Sequence, residues 1–287
     1  MANKKKATTP PVEETADPSW EQVAVPLPEA GSESDWNASA TEEEPSTEDW
    51  AAVPPAVHAE VFIREHAGEF NPEICKSLFY GESGSGKTRL GSTYPEVLFL
   101  DIDKGMASVT EHVDAVDIDT FRQMQDAYAF LKGGSHSYTS VVIDTVNEMQ
   151  RLAMGATIED FPQIRRSYDN LPSQSDYGKM LHDWIELTRD FILLPMRVVL
   201  LAQVNTRQFD TDVLMPQLIG KNSAREVARK MDVIGHIYKS EKEDTATGKK
   251  ISEVCFDAPE YVTKDRSFRL PAILPTPTYD RIASFWK

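Results

Sequence analysis

The stretch YGESGSGKTRL, residues 80–90, constrains the fold more than any other part of the chain. Read from Gly81 it is G-x-x-x-x-G-K-T, closed by Lys87 and Thr88. The short apolar run KSLFY (76–80) feeds it, and a helix is expected to follow. Strand, glycine turn and helix in that order curl backbone N–H groups around phosphate oxygens and aim the positive helix end at them. Lys87 then reaches the terminal phosphates of a nucleotide, and the Thr88 hydroxyl faces Mg²⁺. A chance match in a Gly/Ser-rich turn would lack the flanking elements. The phosphate-binding set is Gly81, Glu82, Ser83, Gly84, Ser85, Gly86, Lys87, Thr88 and Arg89. ATP and Mg²⁺ are the expected cofactors.

Such a loop needs a sheet behind it. EVLFLDID (96–103), YTSVVIDT (138–145) and MRVVLLAQV (196–204) join KSLFY as runs of Val, Ile, Leu and Phe without alternation. That is the pattern of strands covered on both faces. Helical stretches lie between them. The clearest is 176–193, where Tyr177, Met180, Leu181, Trp184, Leu187, Phe191 and Ile192 recur at threes and fours, with Asp176 as a cap. Strands alternating with helices make a mainly parallel α/β sheet. DVIGHIYKSE (232–241) and KISEVCFDA (250–258), flanking KEDTATGK, read as a C-terminal β-hairpin on a sheet edge.

The first 60 residues are of another kind. They hold three Lys and no Arg against thirteen Asp and Glu, a net charge of −10, with eight of the eighteen prolines. A segment of that composition cannot bury enough apolar surface to offset its ordering entropy. The expected organisation is an acidic disordered tail, 1–60, followed by one ATPase domain, 61–287. That domain carries 27 Lys and Arg against 33 Asp and Glu, a net charge of −6. Overall acidity argues against indiscriminate nucleic-acid binding and leaves room for a locally basic groove. Trp20, Trp36 and Trp50 each follow or closely follow an acid in the tail. Negative charge beside a stacking face resembles single-stranded DNA. The tail is therefore read either as a solubilising leader or as a DNA mimic over basic loops or a partner's groove.

Two cysteines, Cys75 and Cys255, give no disulfide framework, and a reducing compartment is expected. No apolar run is long enough to span a membrane, and MANKKKATTPP has no apolar stretch behind its basic start, so it is no secretory signal. The expected location is the cytoplasm. The histidines show no metal-ligand spacing with the cysteines.

A phosphate loop also needs a carboxylate at the end of a nearby strand to hold the Mg²⁺ shell. SVVIDT supplies Asp144 where open α/β sheets bind their ligands. Its plain alternative is a cap on the next helix. Asp101 and Asp103 close the strand after the loop, and by residue type alone each reads as a turn or cap carboxylate. Gln203 ends the fourth strand, either as a structural amide or as a sensor of the γ-phosphate.

In order and spacing these pieces resemble the RecA-like recombinase ATPases, and within them the phage-encoded single-strand annealing or recombination proteins. The likeness spans roughly residues 74–272. It implies a RecA-like P-loop core. It makes Asp103, in FLDID, the carboxylate that activates water, where the family usually has Glu. It gives Asp144 the magnesium role and Gln203, in LLAQ, the γ-phosphate contact. It places two DNA-binding loops at about 155–175 and 204–222, the second ending in MPQLIGK (215–221). In VTKDRSF it matches Lys264 and Arg266 to a K-x-R pair that reaches the ATP of a neighbouring subunit. Alternate residues on a strand point the same way, so both cations suit one anion. The other reading is a solvated basic edge strand.

Arg165, Arg166, Arg207, Lys221 and Arg225 are the candidate DNA-binding cations, with Phe161, Tyr168 and Phe209 as stacking faces. The expected function is an ATP-dependent, single-stranded-DNA-binding recombination protein, working by annealing or exchange. It would be a head-to-tail homo-oligomer, ring or filament, with a single-strand-binding protein as a further partner and no membrane. The alternatives are a helicase or loader motor on the same core, and a non-hydrolysing ATP-switched annealing protein.

Overall fold

The computed structural model describes residues 69–109, 112–160, 171–205, 213–220 and 222–287. Strand β1 (Lys76–Gly81) is buried along its whole length. It leads through the glycine turn into helix α1 (Lys87–Ser92). There follow β2 (Val97–Asp101), β3 (Asp114–Asp117), α2 (Phe121–Gly133), β4 (Ser140–Asp144), α3 (Val146–Asp160), α4 (Gln174–Ile192) and β5 (Arg197–Asn205). The last part holds β6 (Met215–Pro216), α5 (Ser223–Lys230), β7 (Val233–Glu243), β8 (Lys250–Cys255), β9 (Lys264–Asp265), β10 (Ile273–Pro275) and α6 (Tyr279–Ala283).

Six strands pair in parallel in the order β7-β1-β5-β4-β2-β3. The apolar runs have a simple cause. Alternate residues of each strand point to opposite faces, and both faces are covered. Leu78, Tyr80, Val141, Ile143, Val198 and Leu200 pack under α2, α3 and α4 with Trp184, Met180 and Phe191. Phe79, Val142, Val199 and Leu201 face the other way, onto Leu90, Tyr94, Tyr279, Ile282 and Trp286. The mainly parallel α/β core is as the sequence implies.

The structure corrects several details. Helix α4 is capped by Ser173, and Asp176 is its third residue, answering the cap in a reciprocal box. Tyr177 is 41% exposed and lies off the apolar stripe. Strand β7 is not an edge hairpin arm. It extends the parallel sheet beside β1, pairs antiparallel with β8, and β10 covers β8 in turn. Helix α3 runs to Asp160, so the first six residues of the proposed loop at 155–175 are helical. Strand β5 continues to Asn205 and folds back on β6, with Val204 opposite Pro216. The acidic tail, Arg165, Arg166, Arg207 and Lys221 lie outside the described residues. Among those described, no helix is long and apolar enough to cross a membrane.

A candidate nucleotide site at the carboxyl ends of the strands

Strand β5 lies between β1 and β4, and this order builds the site. Gly81, where the glycine turn leaves β1, is the register partner of Gln203. Asp144, at the end of β4, is the partner of Leu201 on one side and of Asp101 on the other. Loop, amide and carboxylates therefore come together at one end of the sheet.

The turn has the backbone that its glycines allow. Gly84 and Gly86 sit at φ +76° and +109°, in the left-handed region where a side chain would be strained. The Lys87 ammonium lies inside the turn, donating to the carbonyls of Gly81 and Glu82 at 2.9 Å and to Gln203 Oε1 at 3.3 Å. Burial holds its pKa below the ordinary lysine value, while Asp144, Asp103 and Glu82 pull it upward. Ser85 Oγ is buried with no partner. Glu82, Ser83 and Arg89 are exposed on the rim. From the far side Ser252 of β8 donates to the Ser85 carbonyl at 2.7 Å. Beside it Arg89, Leu90, Lys249, Ile251 and Thr276–Thr278 line a groove of about 380 Å³, wide enough for a nucleoside.

Thr88 Oγ1 donates to Asp144 Oδ2 at 2.7 Å. These are two hard oxygens side by side, the donor type Mg²⁺ takes. A Cβ at Gly105 would stand 3.6 Å from Thr88 Oγ1 and 3.8 Å from Asp144 Oδ2, so glycine keeps the approach open. Among the described residues no cluster of three His, Cys, Asp or Glu forms an all-protein metal cage. Mg²⁺ is usually held by one or two carboxylates with substrate phosphates. The residues fit a Mg-nucleotide.

Burial pushes the Asp144 carboxyl up to about 6, against the Thr88 hydrogen bond and with Asp103 and Asp101 adding to the rise. A carboxyl raised on folding favours the fold when protonated. That contribution is full below about pH 3.8 and is lost as pH rises through about 6. Asp144→Asn accepts the Thr88 bond without the buried charge. In Mg-free buffer at about pH 8 it is expected to stabilise the fold by on the order of 1–3 kcal/mol. The gain should vanish below about pH 3.5, where both proteins are neutral at this position. Thermal melts at the two pH values check this, and a destabilised variant at the higher pH would contradict the burial argument.

Strand β2 ends at Asp101, so Asp103 lies in the turn beyond it, and the two carboxylates divide their work. Asp101 is buried, and its oxygens accept from the N–H groups of Gly105 at 3.0 Å and Met106 at 3.4 Å, so it shapes the turn. Asp103 is exposed at the mouth of the site. The Asp144 carbonyl fixes its place by accepting from the N–H of Ile102 at 2.8 Å and of Asp103 at 3.0 Å. Partial burial and then the Glu148 carboxylate raise the Asp103 pKa, opposed by Lys87. Lys264 and Arg266 are not part of this cluster in the same chain. Strand β9 pairs with Val233 and Ile234, at the opposite end of β7 from the loop. Nor do the two cations share one partner. Lys264 donates to the Ala228 and Arg229 carbonyls closing α5, and Arg266 pairs with Asp232 at 2.7 Å. Arg225 is exposed on α5 beside an apolar groove formed by Val213, Met215, Pro216, Ala228 and Val262.

Sequence reasoning passed over two amides on α3. Asn147 Oδ1 accepts the Gln203 N–H at 2.8 Å, and its Nδ2 donates to the Gln217 carbonyl. Gln150 grips Ile219 by both backbone groups, at 2.7 and 3.1 Å. Gln217 N–H in turn donates to the Gln203 carbonyl at 2.8 Å. The helix that follows Asp144 thus holds the segment that follows Gln203. A Gln three residues from an Asn, at helical spacing with Val146, Met149 and Ala153, was the available signal.

A family model described as an AAA domain matches residues 75–267. No curated protein matches the chain.

Proposed function

The chain belongs to the AAA domain family, and on that premise we propose that it is a Mg²⁺-dependent ATPase that binds single-stranded DNA, assembles head to tail, and serves recombination of the phage type by strand annealing or exchange. The observation that carries the ATPase reading is the convergence of Lys87, Thr88, Asp144 and Gln203 at the carboxyl ends of β1, β4 and β5. The resemblance of the motif order to RecA-like recombinases supports the DNA half of the reading.

Phosphoryl transfer needs positioning and charge neutralisation more than covalent chemistry. The turn Gly81–Gly86 supplies N–H groups to the phosphates, and Ser85 Oγ offers them a further hydrogen bond. Lys87 exchanges its loop carbonyls for phosphate oxygens. Thr88 and Asp144 would hold Mg²⁺, which would supply charge neutralisation for the transferring group. Asp103 orients the attacking water at the mouth of the site. Gln203 turns with Lys87, and the Asn147–Gln217 and Gln150–Ile219 bonds carry that movement into residues 215–219. Lys264 and Arg266 leave their local partners to complete the site of a neighbouring chain.

Asp103→Asn is expected to leave ATP affinity intact and to lower turnover by about 10²–10⁴-fold, the usual contribution of a group that orients or deprotonates water. Equal losses of affinity and turnover would assign Asp103 to the metal instead. Unchanged turnover would pass the water to another group, with Glu148 next in line. A second reading, an annealing protein for which ATP is only an assembly switch, is favoured by one observation. Asp103 is a methylene shorter than the Glu usual in the resembled family and is open to solvent. Steady-state ATPase with and without single-stranded DNA separates the two.

A further inference from the structure

The turn after β9 presents one aromatic ring to solvent and is built to keep it there. Phe268 is 91% exposed and sits at φ +56°, a left-handed backbone that costs free energy for a residue with a Cβ. Asp265 holds the turn in this shape. Its Oδ1 accepts from Ser267 N at 2.8 Å and Ser267 Oγ at 2.5 Å, and its Oδ2 accepts from Arg269 N at 2.9 Å and Leu270 N at 2.8 Å. Arg266 on one side is tied to Asp232, and Arg269 on the other to the Trp286 carbonyl at 2.8 Å. Among the described residues the ring belongs to neither apolar cluster. A strained, braced and fully exposed aromatic between two arginines has the composition of a binding hot spot.

The structure also offers a surface of opposite charge. Asp103, Asp117 and Asp119 form an acidic rim at the carboxyl ends of β2 and β3, with Lys104 paired to the last two at 3.4 and 3.1 Å. The rim lies at the phosphate-loop end of the sheet, toward the β3 edge. The Phe268 turn lies at the other end, beyond β7. One chain cannot close this contact on itself, whereas successive chains can, each turn on the next rim. A second copy suits the turn better than DNA. There is one ring where a base platform would show a series, and the acidic rim complements a turn that carries Lys264, Arg266 and Arg269.

We propose that Phe268 is the anchor of a head-to-tail contact between copies of this chain, seated against the acidic rim beside the neighbour's Asp103. This rests on the head-to-tail assembly proposed above and adds the residue that drives it. It also explains how Arg266, two residues from the anchor, comes to face the neighbour's nucleotide.

The test is sedimentation velocity of the full chain with ATP and Mg²⁺. Phe268→Gly suits the backbone and removes the ring, so its melting temperature should equal or exceed that of the wild type. It should nevertheless need about 10-fold or more higher concentration to assemble. The double variant Asp117→Asn/Asp119→Asn, with an intact turn and a neutral rim, should also fail to assemble. Mixed with Phe268→Gly it should give one-to-one dimers and nothing longer, because only one kind of junction remains competent. Assembly of Phe268→Gly at wild-type concentrations, or a wild type that stays monomeric, overturns the proposal. So does weakened single-stranded-DNA binding with normal assembly, which would make Phe268 a base platform. A wild type that assembles through Phe268 but neither binds nor hydrolyses ATP would leave this contact standing and refute the proposed function instead.

Discussion

Lys87→Ala is expected to lower kcat/KM for ATP by about 10³–10⁵-fold. Two losses multiply. A charged hydrogen-bond donor to the phosphates is worth about 1.5–3 kcal/mol in binding, and removing one donor from the developing charge costs a further 10²–10³-fold or so in turnover. Among the described residues no other cation is seen to donate into the turn: Arg89 is exposed on its rim, and Lys264 and Arg266 lie at the far end of β7. The fold should survive, because the ammonium satisfies only carbonyls of the loop itself and Gln203. Titration calorimetry with ATP and a coupled hydrolysis assay measure the two factors separately. A variant that hydrolyses ATP at the wild-type rate would mean that the nucleotide sits elsewhere.

Arg266→Ala is expected to be equally severe but to act in trans. An arginine inserted against the transferring phosphoryl group is worth about 10³–10⁵ in rate. The variant should bind ATP normally through its own loop and turn over at a small fraction of the wild-type rate. Mixing it with Lys87→Ala should restore part of the activity, since some junctions then pair an intact loop with an intact arginine. The local Arg266–Asp232 pair gives the control. If it served the fold alone, Asp232→Asn would reproduce the defect, and mixing would rescue nothing. No recovery in a mixture shown to co-assemble would remove Arg266 from the site.

What the sequence made legible follows from how each feature is encoded. The four apolar strands could be read because each is covered on both faces, which leaves a continuous run of Val, Leu, Ile and Phe. The phosphate loop could be read because its conformation demands glycine at Gly84 and Gly86. Strand β3 could not. Its four residues, DAVD, are all exposed, and only pairing with β2 makes them a strand. The insertion of β5 between β1 and β4 has no local signature either, yet it brings Gln203 to Lys87. Strand alternation predicted Lys264 and Arg266 on one strand, whereas β9 ends at Asp265 and Arg266 lies beyond it. It could not foresee that α5 and Asp232 would capture them separately, because those partners are distant in sequence. The same holds for Asn147 and Gln150, which bind backbone about 55 to 70 residues away.

Glu148 shows where residue type alone is insufficient. It lies one turn beyond Asp144 and pairs with Arg151 at 2.5 Å, an ordinary helix-surface ion pair by spacing. Only the fold brings its charge to bear on Asp103.

In the proposed function the chain spends ATP at the Lys87 loop under the control of single-stranded DNA. Steady-state ATP hydrolysis by the full-length chain, with Mg²⁺ and with or without an oligonucleotide, tests it most directly. Slow Mg²⁺-dependent turnover is expected, rising when single-stranded DNA is added and disappearing in Lys87→Ala. Turnover that ignores DNA, or ATP binding with no turnover under either condition, would contradict it.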